Sequence, residues 1–118
     1  MDYTTLGRTG LRVSVVGLGC GGNSRLGLTS GGSEAGAIAI VRRAIDLGVN
    51  LLDTAPAYGT ETVVGAAIAG LSRDQVVIST KVTVRKGDTI LPAEAPLASI
   101  EESLRALRGD DIARIEIA

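Results

Sequence analysis

Apolar positions in this chain alternate between short runs and helical spacing, and the switch recurs along its whole length. The start reads as a hairpin. Tyr3 to Leu6 and Leu11 to Ser14 flank Gly7-Arg-Thr-Gly10, a short glycine-bounded turn. Val15-Val-Gly-Leu-Gly19 reads as a short buried strand, and the polar, glycine-rich stretch from Cys20 to Ser33 as a loop. Ile38, Val41 and Ile45 recur at helical spacing and predict a helix over about Glu34–Leu47, with Ser33 as N-cap and Gly48 as stop. Val49–Thr54 is a second strand. A second helix is expected over about Glu61–Ala69, with Val64, Ile68 and Leu71 on one face and Gly70 ending it. Gln75–Val82 is a third strand, and Lys86–Ala95 a connecting loop. A third helix is expected to begin near Pro96, a favoured first-turn residue. Leu97, Ile100, Leu104 and Leu107 are its stripe and Gly109 its stop. Ile112–Ala118 reads as a fourth strand.

The order is therefore a hairpin followed by β-α-β-α-β-α-β, and strands alternating with helices imply a parallel sheet with right-handed crossovers. A closed (β/α)8 barrel needs eight strands and typically about 250 residues. The 118 residues supply about half of one, and they end on a strand with no helix after it. The fold class expected is α/β, of TIM-barrel type.

Composition narrows the picture modestly. Aromatic residues make up 2% of the chain, with no Phe or Trp, so the core must be built from Val, Ile, Leu and Ala. A net charge of −1 gives no electrostatic case for nucleic acid or an anionic membrane. The single cysteine, Cys20, excludes an internal disulfide and fits a reducing compartment. The N-terminus lacks a signal-peptide apolar core, and no run of roughly 18 apolar residues is present. A cytoplasmic location is the expectation.

Gly17-Leu-Gly19-Cys-Gly-Gly22 satisfies the glycine pattern of dinucleotide-binding turns. That motif needs a helix opening at the glycines, so that its N-terminus faces the pyrophosphate. Here the expected helix begins about a dozen residues late, which argues against a Rossmann unit. The glycines are better read as a permissive loop at a strand's C-terminal end, where a barrel places its active site.

Asp53, Tyr58 and Lys81 each lie at, or just past, the C-terminal end of an expected strand, and those ends open onto one face. A free phenol has a pKa of about 10, too high for efficient proton donation near neutrality. A nearby ammonium favours the phenolate and lowers that value. A carboxylate fixes the ammonium and offsets the cost of burying it. Tyr58 would be the acid, Lys81 its tuner and Asp53 the anchor. Taken singly each has an ordinary reading: a packed loop tyrosine, a solvated lysine, an aspartate shaping the turn before Pro56. Taken jointly, with their spacing, they favour a site.

These stretches resemble the aldo-keto reductase superfamily. Thr5-Leu-Gly-Arg-Thr-Gly-Leu-Arg-Val-Ser14 is similar to its opening hairpin and Gly17-Leu-Gly-Cys20 to its first barrel strand. Asn50-Leu-Leu-Asp-Thr-Ala-Pro-Ala-Tyr-Gly-Thr-Glu61 is similar to its most specific signature. Ile78-Ser-Thr-Lys81 resembles its lysine strand, and Ser99-Ile-Glu-Glu-Ser-Leu-Arg-Ala-Leu107 the helix before its fourth strand. The resemblance covers residues 1–118 as the N-terminal part of a barrel domain. It implies reduction of aldehyde or ketone carbonyls with NADPH, with Tyr58 as proton donor and Lys81 and Asp53 completing the relay. Asp53 would also lie near the nicotinamide ribose, and Gly19, Cys20 and Gly21 would form the cofactor-edge loop. No metal site is implied.

Two departures stand out. The family's fourth catalytic residue is a histidine, which by register would follow Ala118, and the sequence contains none. Arg114 stands where the family's fourth strand usually carries an acidic residue. Most adenine and phosphate contacts belong to the family's second half. A chain cut before the histidine, and inactive alone, is the leading expectation. One alternative is a half-barrel interaction module that dimerises, because a half-barrel leaves sheet edges and an apolar face to be covered. Another is a different TIM-barrel enzyme handling sugar phosphates, against which the Tyr58–Lys81 pairing argues. Otherwise the partner expected is a small-molecule carbonyl substrate.

Overall fold

The computed structural model describes residues 1–107. Strands β1 (Tyr3–Thr5) and β2 (Arg12–Ser14) form the expected antiparallel hairpin. Strands β3 (Leu18–Gly19), β4 (Leu51–Asp53) and β5 (Val77–Ser79) form a parallel sheet in that spatial order. Helix α1 (Glu34–Asp46) links β3 to β4, and α2 (Glu61–Ile68) links β4 to β5. A second hairpin, β6 (Arg85–Lys86) with β7 (Thr89–Ile90), precedes α3 (Glu94–Ala106). The sheet of the described residues is open, a sector of the expected barrel type rather than a closed one. The expected fourth strand, Gly109 and Arg114 lie outside the described residues.

Leu52, fully buried at the middle of the central strand, pairs across the sheet with Leu18 and Ile78. Around it pack Val41 of α1 and Val63, Val64, Ala67 and Ile68 of α2, with Cys20, Val76 and Leu107. As composition required, the core is aliphatic. Ser33 caps α1 by accepting from the Gly36 N–H at 3.1 Å, and Gly48 leaves the helix at φ 94°. Arg42 reaches across from α1 and donates to the carbonyls of Ala67 and Ala66 at 3.3 and 3.4 Å, satisfying groups that the end of α2 leaves unpaired.

Helices α2 and α3 meet at Gly65, where a built Cβ would overlap the carbonyl oxygen of Ala106 and stand 3.1 Å from the Leu107 Cα. The obstacle is backbone, which cannot rotate away. Gly65→Ala gains about 1 kcal/mol of helix propensity, yet overpacking against a rigid neighbour costs about 3 kcal/mol. A net loss of about 2 kcal/mol is expected in urea unfolding.

The first hairpin is bolted beneath the sheet by Asn50, the residue before β4. Asn50 Oδ1 accepts from the Ser14 N–H at 2.6 Å, and its Nδ2 donates to the Arg12 carbonyl at 3.0 Å. Its own N–H donates to Ser14 Oγ at 3.1 Å, and Tyr3 Oη donates to the Gly48 carbonyl at 2.8 Å. The hairpin therefore sits at the N-terminal ends of the strands.

Several expectations need correction. Val15 and Val16 are not in a buried strand: both are exposed, and only Leu18–Gly19 pairs with β4. The Val15 N–H is taken by the Asp2 carbonyl, and Ser14 Oγ donates to the Val16 carbonyl, so the chain turns here before entering the sheet. The loop after β3 carries a core anchor, Leu26, held at φ 60° beside Arg25 at φ 45°, and a 3-10 turn at Leu28–Ser30. Helix α2 stops at Ile68, so Leu71 lies beyond it and is exposed. Gly87-Asp88 makes a two-residue turn with Gly87 at φ 58°, which pairs Lys86 with Thr89 inside the expected loop. Helix α3 starts two residues earlier than expected. Pro96 still falls in its first turn, where no N–H is needed, but Leu97 faces outward.

Candidate active site

The site is built on a row of three strand ends. Gly19 is in register with Asp53, and Asp53 with Ser79. The ladder runs one bond further: the Cys20 N–H donates to the Asp53 carbonyl and the Thr54 N–H to the Ser79 carbonyl, both at 2.8 Å. These bonds fix Asp53 from both sides at the C-terminal edge of the sheet. Lys81 is not part of β5, as its run of β-branched residues had implied. It lies two residues past the end of that strand.

Lys81 Nζ donates to Asp53 Oδ2 at 2.9 Å and Oδ1 at 3.0 Å, and to the Thr54 carbonyl at 3.1 Å. Ser79 Oγ adds a bond to Asp53 Oδ1 at 3.0 Å. Tyr58 ends the 3-10 turn Pro56–Tyr58, closed by the Tyr58 N–H on the Ala55 carbonyl, and Gly59 follows at φ 68°. This short turn swings Tyr58 back over the strand end it has just left. Its ring centroid lies 4.9 Å from Lys81 Nζ, so lysine and tyrosine meet ammonium to ring. The ring also rests on Gly21, where a built Cβ would stand 2.7–2.8 Å from three ring carbons. A side chain at position 21 would displace the phenol.

The expected residues thus fall into distinct places. Asp53, Tyr58 and Lys81 come together at one edge. Gly19 faces open space, with nothing within 4 Å of a built Cβ. Gly21 is the bed of the Tyr58 ring. Cys20 is fully buried in the core, backbone included, and its N–H is spent on the Asp53 carbonyl, so the expectation that it lines a cofactor is not met by an exposed group. Burial first, then the Asp53 charge, push the Cys20 thiol up to about 11, which makes it unreactive.

Sequence reading missed the supports behind the site. The hydroxyls of Thr54 and Thr60, both fully buried, bond at 3.1 Å and close the loop that carries Tyr58. Thr80 Oγ1 donates to Oε1 of the buried Glu61 at 2.6 Å. An acidic residue opening a helix is a readable sign of dipole pairing. Nothing local, however, points from Glu61 to Thr80.

Asp53 holds the Lys81 ammonium above its ordinary value of 10.5, chiefly by hydrogen bonding. Partial burial opposes the rise, and Tyr58 adds to it. Because both charged groups are about half exposed, the pair contributes little to stability, and its value is positional. A raised ammonium stabilises the fold at pH below its unfolded value and loses that contribution as pH climbs through the folded one. Asp53→Asn is therefore expected to bring the Lys81 midpoint down, read by lysine NMR titration. The difference in stability from the parent chain should be confined to the range below the parent's alkaline midpoint.

The chain has counterparts among known proteins. The model of the Aldo/keto reductase family matches residues 17–117. Aldo-keto reductase YhdN of Bacillus subtilis is 38% identical over 95% of the chain and 36% of its own length. L-galactose dehydrogenase of Arabidopsis thaliana is 38% identical over 93% of the chain and 35% of its own. The holo form of an aldo-keto reductase from Bacillus halodurans superposes with a TM-score of 0.72 at 30% identity, over 92% of this chain and 37% of that one. The chain thus spans about a third of the length of the relatives it matches. With the match running from the first barrel strand through the tyrosine turn and the lysine segment, the chain belongs to the aldo/keto reductase family.

Proposed function

We propose that this chain supplies the proton-donating edge of an NADPH-dependent reductase of aldehyde or ketone carbonyls. The observation that carries the reading is the meeting of Asp53, Lys81 and Tyr58 at the C-terminal edge of the parallel sheet. In the reaction a hydride adds to the carbonyl carbon and a proton to its oxygen, giving an alcohol. Tyr58 Oη delivers the proton. The Lys81 ammonium steadies the negative charge that Tyr58 acquires, and Asp53 and the Thr54 carbonyl hold Lys81 in place. NADPH, when bound, supplies the hydride.

The open space above Gly19 and the exposed Asp53 carboxylate fit the nicotinamide end of such a cofactor, with Gly19 and Gly21 along its edge and Cys20 buried behind them. The acid–base set implied by the family includes a histidine, and this sequence has none. The chain alone is therefore expected not to oxidise NADPH in the presence of an aromatic aldehyde. A chimera placing residues 1–107 on the remaining barrel of the Bacillus subtilis relative is expected to do so, read as loss of absorbance at a wavelength specific to NADPH. A folded but silent chimera would sink the reading.

A second reading, a binding unit that pairs with its own copy, is favoured by the exposed side chains of Val15, Val16, Val82, Val84, Ile90 and Leu97. Light scattering on the chain distinguishes monomer from dimer. No helix among the described residues is long and apolar enough to cross a membrane.

A further inference from the structure

Past Ser79 the chain loses its strand partners, yet this is where Lys81 must be held. Ser79 is the last residue of β5, and the bond from the Thr54 N–H to its carbonyl is the final rung of the ladder there. The side chains beyond it still alternate as in a strand. Ser79 and Lys81 both donate to Asp53 on the site face, while Thr80 between them turns the opposite way and donates to Glu61 Oε1 at 2.6 Å. Glu61 is the first residue of α2, is buried, and follows the turn that carries Tyr58 by three positions. Thr60, just before it, is itself tied to Thr54 at the end of β4.

We propose that Glu61 is a positioning residue for the acid–base edge: through Thr80 it pins the lysine segment from behind to the same helix start that anchors the tyrosine turn. The separation of Lys81 from Tyr58 is then set by one carboxylate shared between the two segments. Asp53 orients the ammonium from the front, and Glu61 fixes the backbone it hangs from. A short charge-assisted hydrogen bond from a hydroxyl to a carboxylate suits this task, being stronger and more directional than a neutral one. An acidic side chain at this first position of α2 also suits the N-terminal end of the helix dipole.

The inference rests on the reductase reading for its purpose, but its test needs no turnover, so the two can fail separately. The sequence has two lysines, Lys81 and Lys86. Lysine labelled at Cε therefore gives two signals, and Lys86→Arg assigns them. The groups that face the Lys81 ammonium are the Asp53 carboxylate, the Tyr58 ring and the Thr54 carbonyl, and all three remain in every variant.

In the parent chain the Lys81 midpoint is expected to stand a measurable gap above its ordinary value of 10.5. Thr80→Ser and Glu61→Gln, which keep a donor and an acceptor, should preserve that gap. Thr80→Val and Glu61→Ala should shrink it, with an unchanged far-UV dichroism spectrum. A merely structural role would alter stability and leave the Lys81 midpoint where it was. Thr80→Val matches threonine in volume and shape, so it decides the matter if Glu61→Ala fails to fold. An undiminished gap in folded Thr80→Val overturns the proposal.

Discussion

Leu52→Ala is expected to cost about 3 kcal/mol, enough to leave much of the chain unfolded in mild urea. Deleting most of a buried leucine removes transfer free energy and leaves a cavity, together worth about 2–5 kcal/mol. Leu52 falls within that range rather than below it because its side chain is enclosed in the aliphatic core. It is fully buried on the central strand, with Leu18 and Ile78 in register on either side and two helices across the core. Domains of this size have only about 5–15 kcal/mol of stability in total. The core has no Phe or Trp whose bulk could compensate. Urea unfolding followed by far-UV dichroism measures the loss, and a change below about 1 kcal/mol would contradict this account of the core.

Tyr58→Phe carries the largest expected effect on chemistry. In the chimera with the Bacillus subtilis barrel, NADPH-dependent turnover should fall by about 10²–10⁴-fold, the usual worth of a positioned general acid. The ring seat against Gly21 and the contact with Lys81 involve the aromatic face and survive the substitution. The loss therefore reports the hydroxyl alone. It should appear in kcat, with KM for the aldehyde changed little. Asp53→Asn should give a smaller loss, since the Thr54 carbonyl still holds Lys81. Turnover within tenfold of the parent in Tyr58→Phe would remove that residue from the role.

Much of the fold was legible because the chain spells it locally. Ile38, Val41 and Ile45 mark α1, and Ser33 and Gly48 bound it where expected. The site was legible in its chemistry: Asp53, Tyr58 and Lys81 were singled out by residue type and strand-end position, and all three sit at one edge. What escaped was tertiary in origin. Val15 and Val16 have the composition of a strand but are claimed by the hairpin's hydrogen bonds. Leu26 sits in a stretch with no periodicity and is buried only because a left-handed turn folds it back over the core. The Gly87-Asp88 turn, by contrast, is a local signal, a glycine-led pair between two short extended segments. Glu61 and Thr80 stand 19 positions apart, and only the βα crossover brings them together.

The bolting of the hairpin by Asn50 bears on how the protein can be handled. Met1 lies beside Gly48, under the entry to β4, while Tyr58 stands beyond the opposite end of that strand. An affinity tag, a fluorescent partner or a surface tether joined at Met1 would leave from the underside of the sheet. Immobilised through that end, the chain would present the edge that carries Asp53, Tyr58 and Lys81 to the solution.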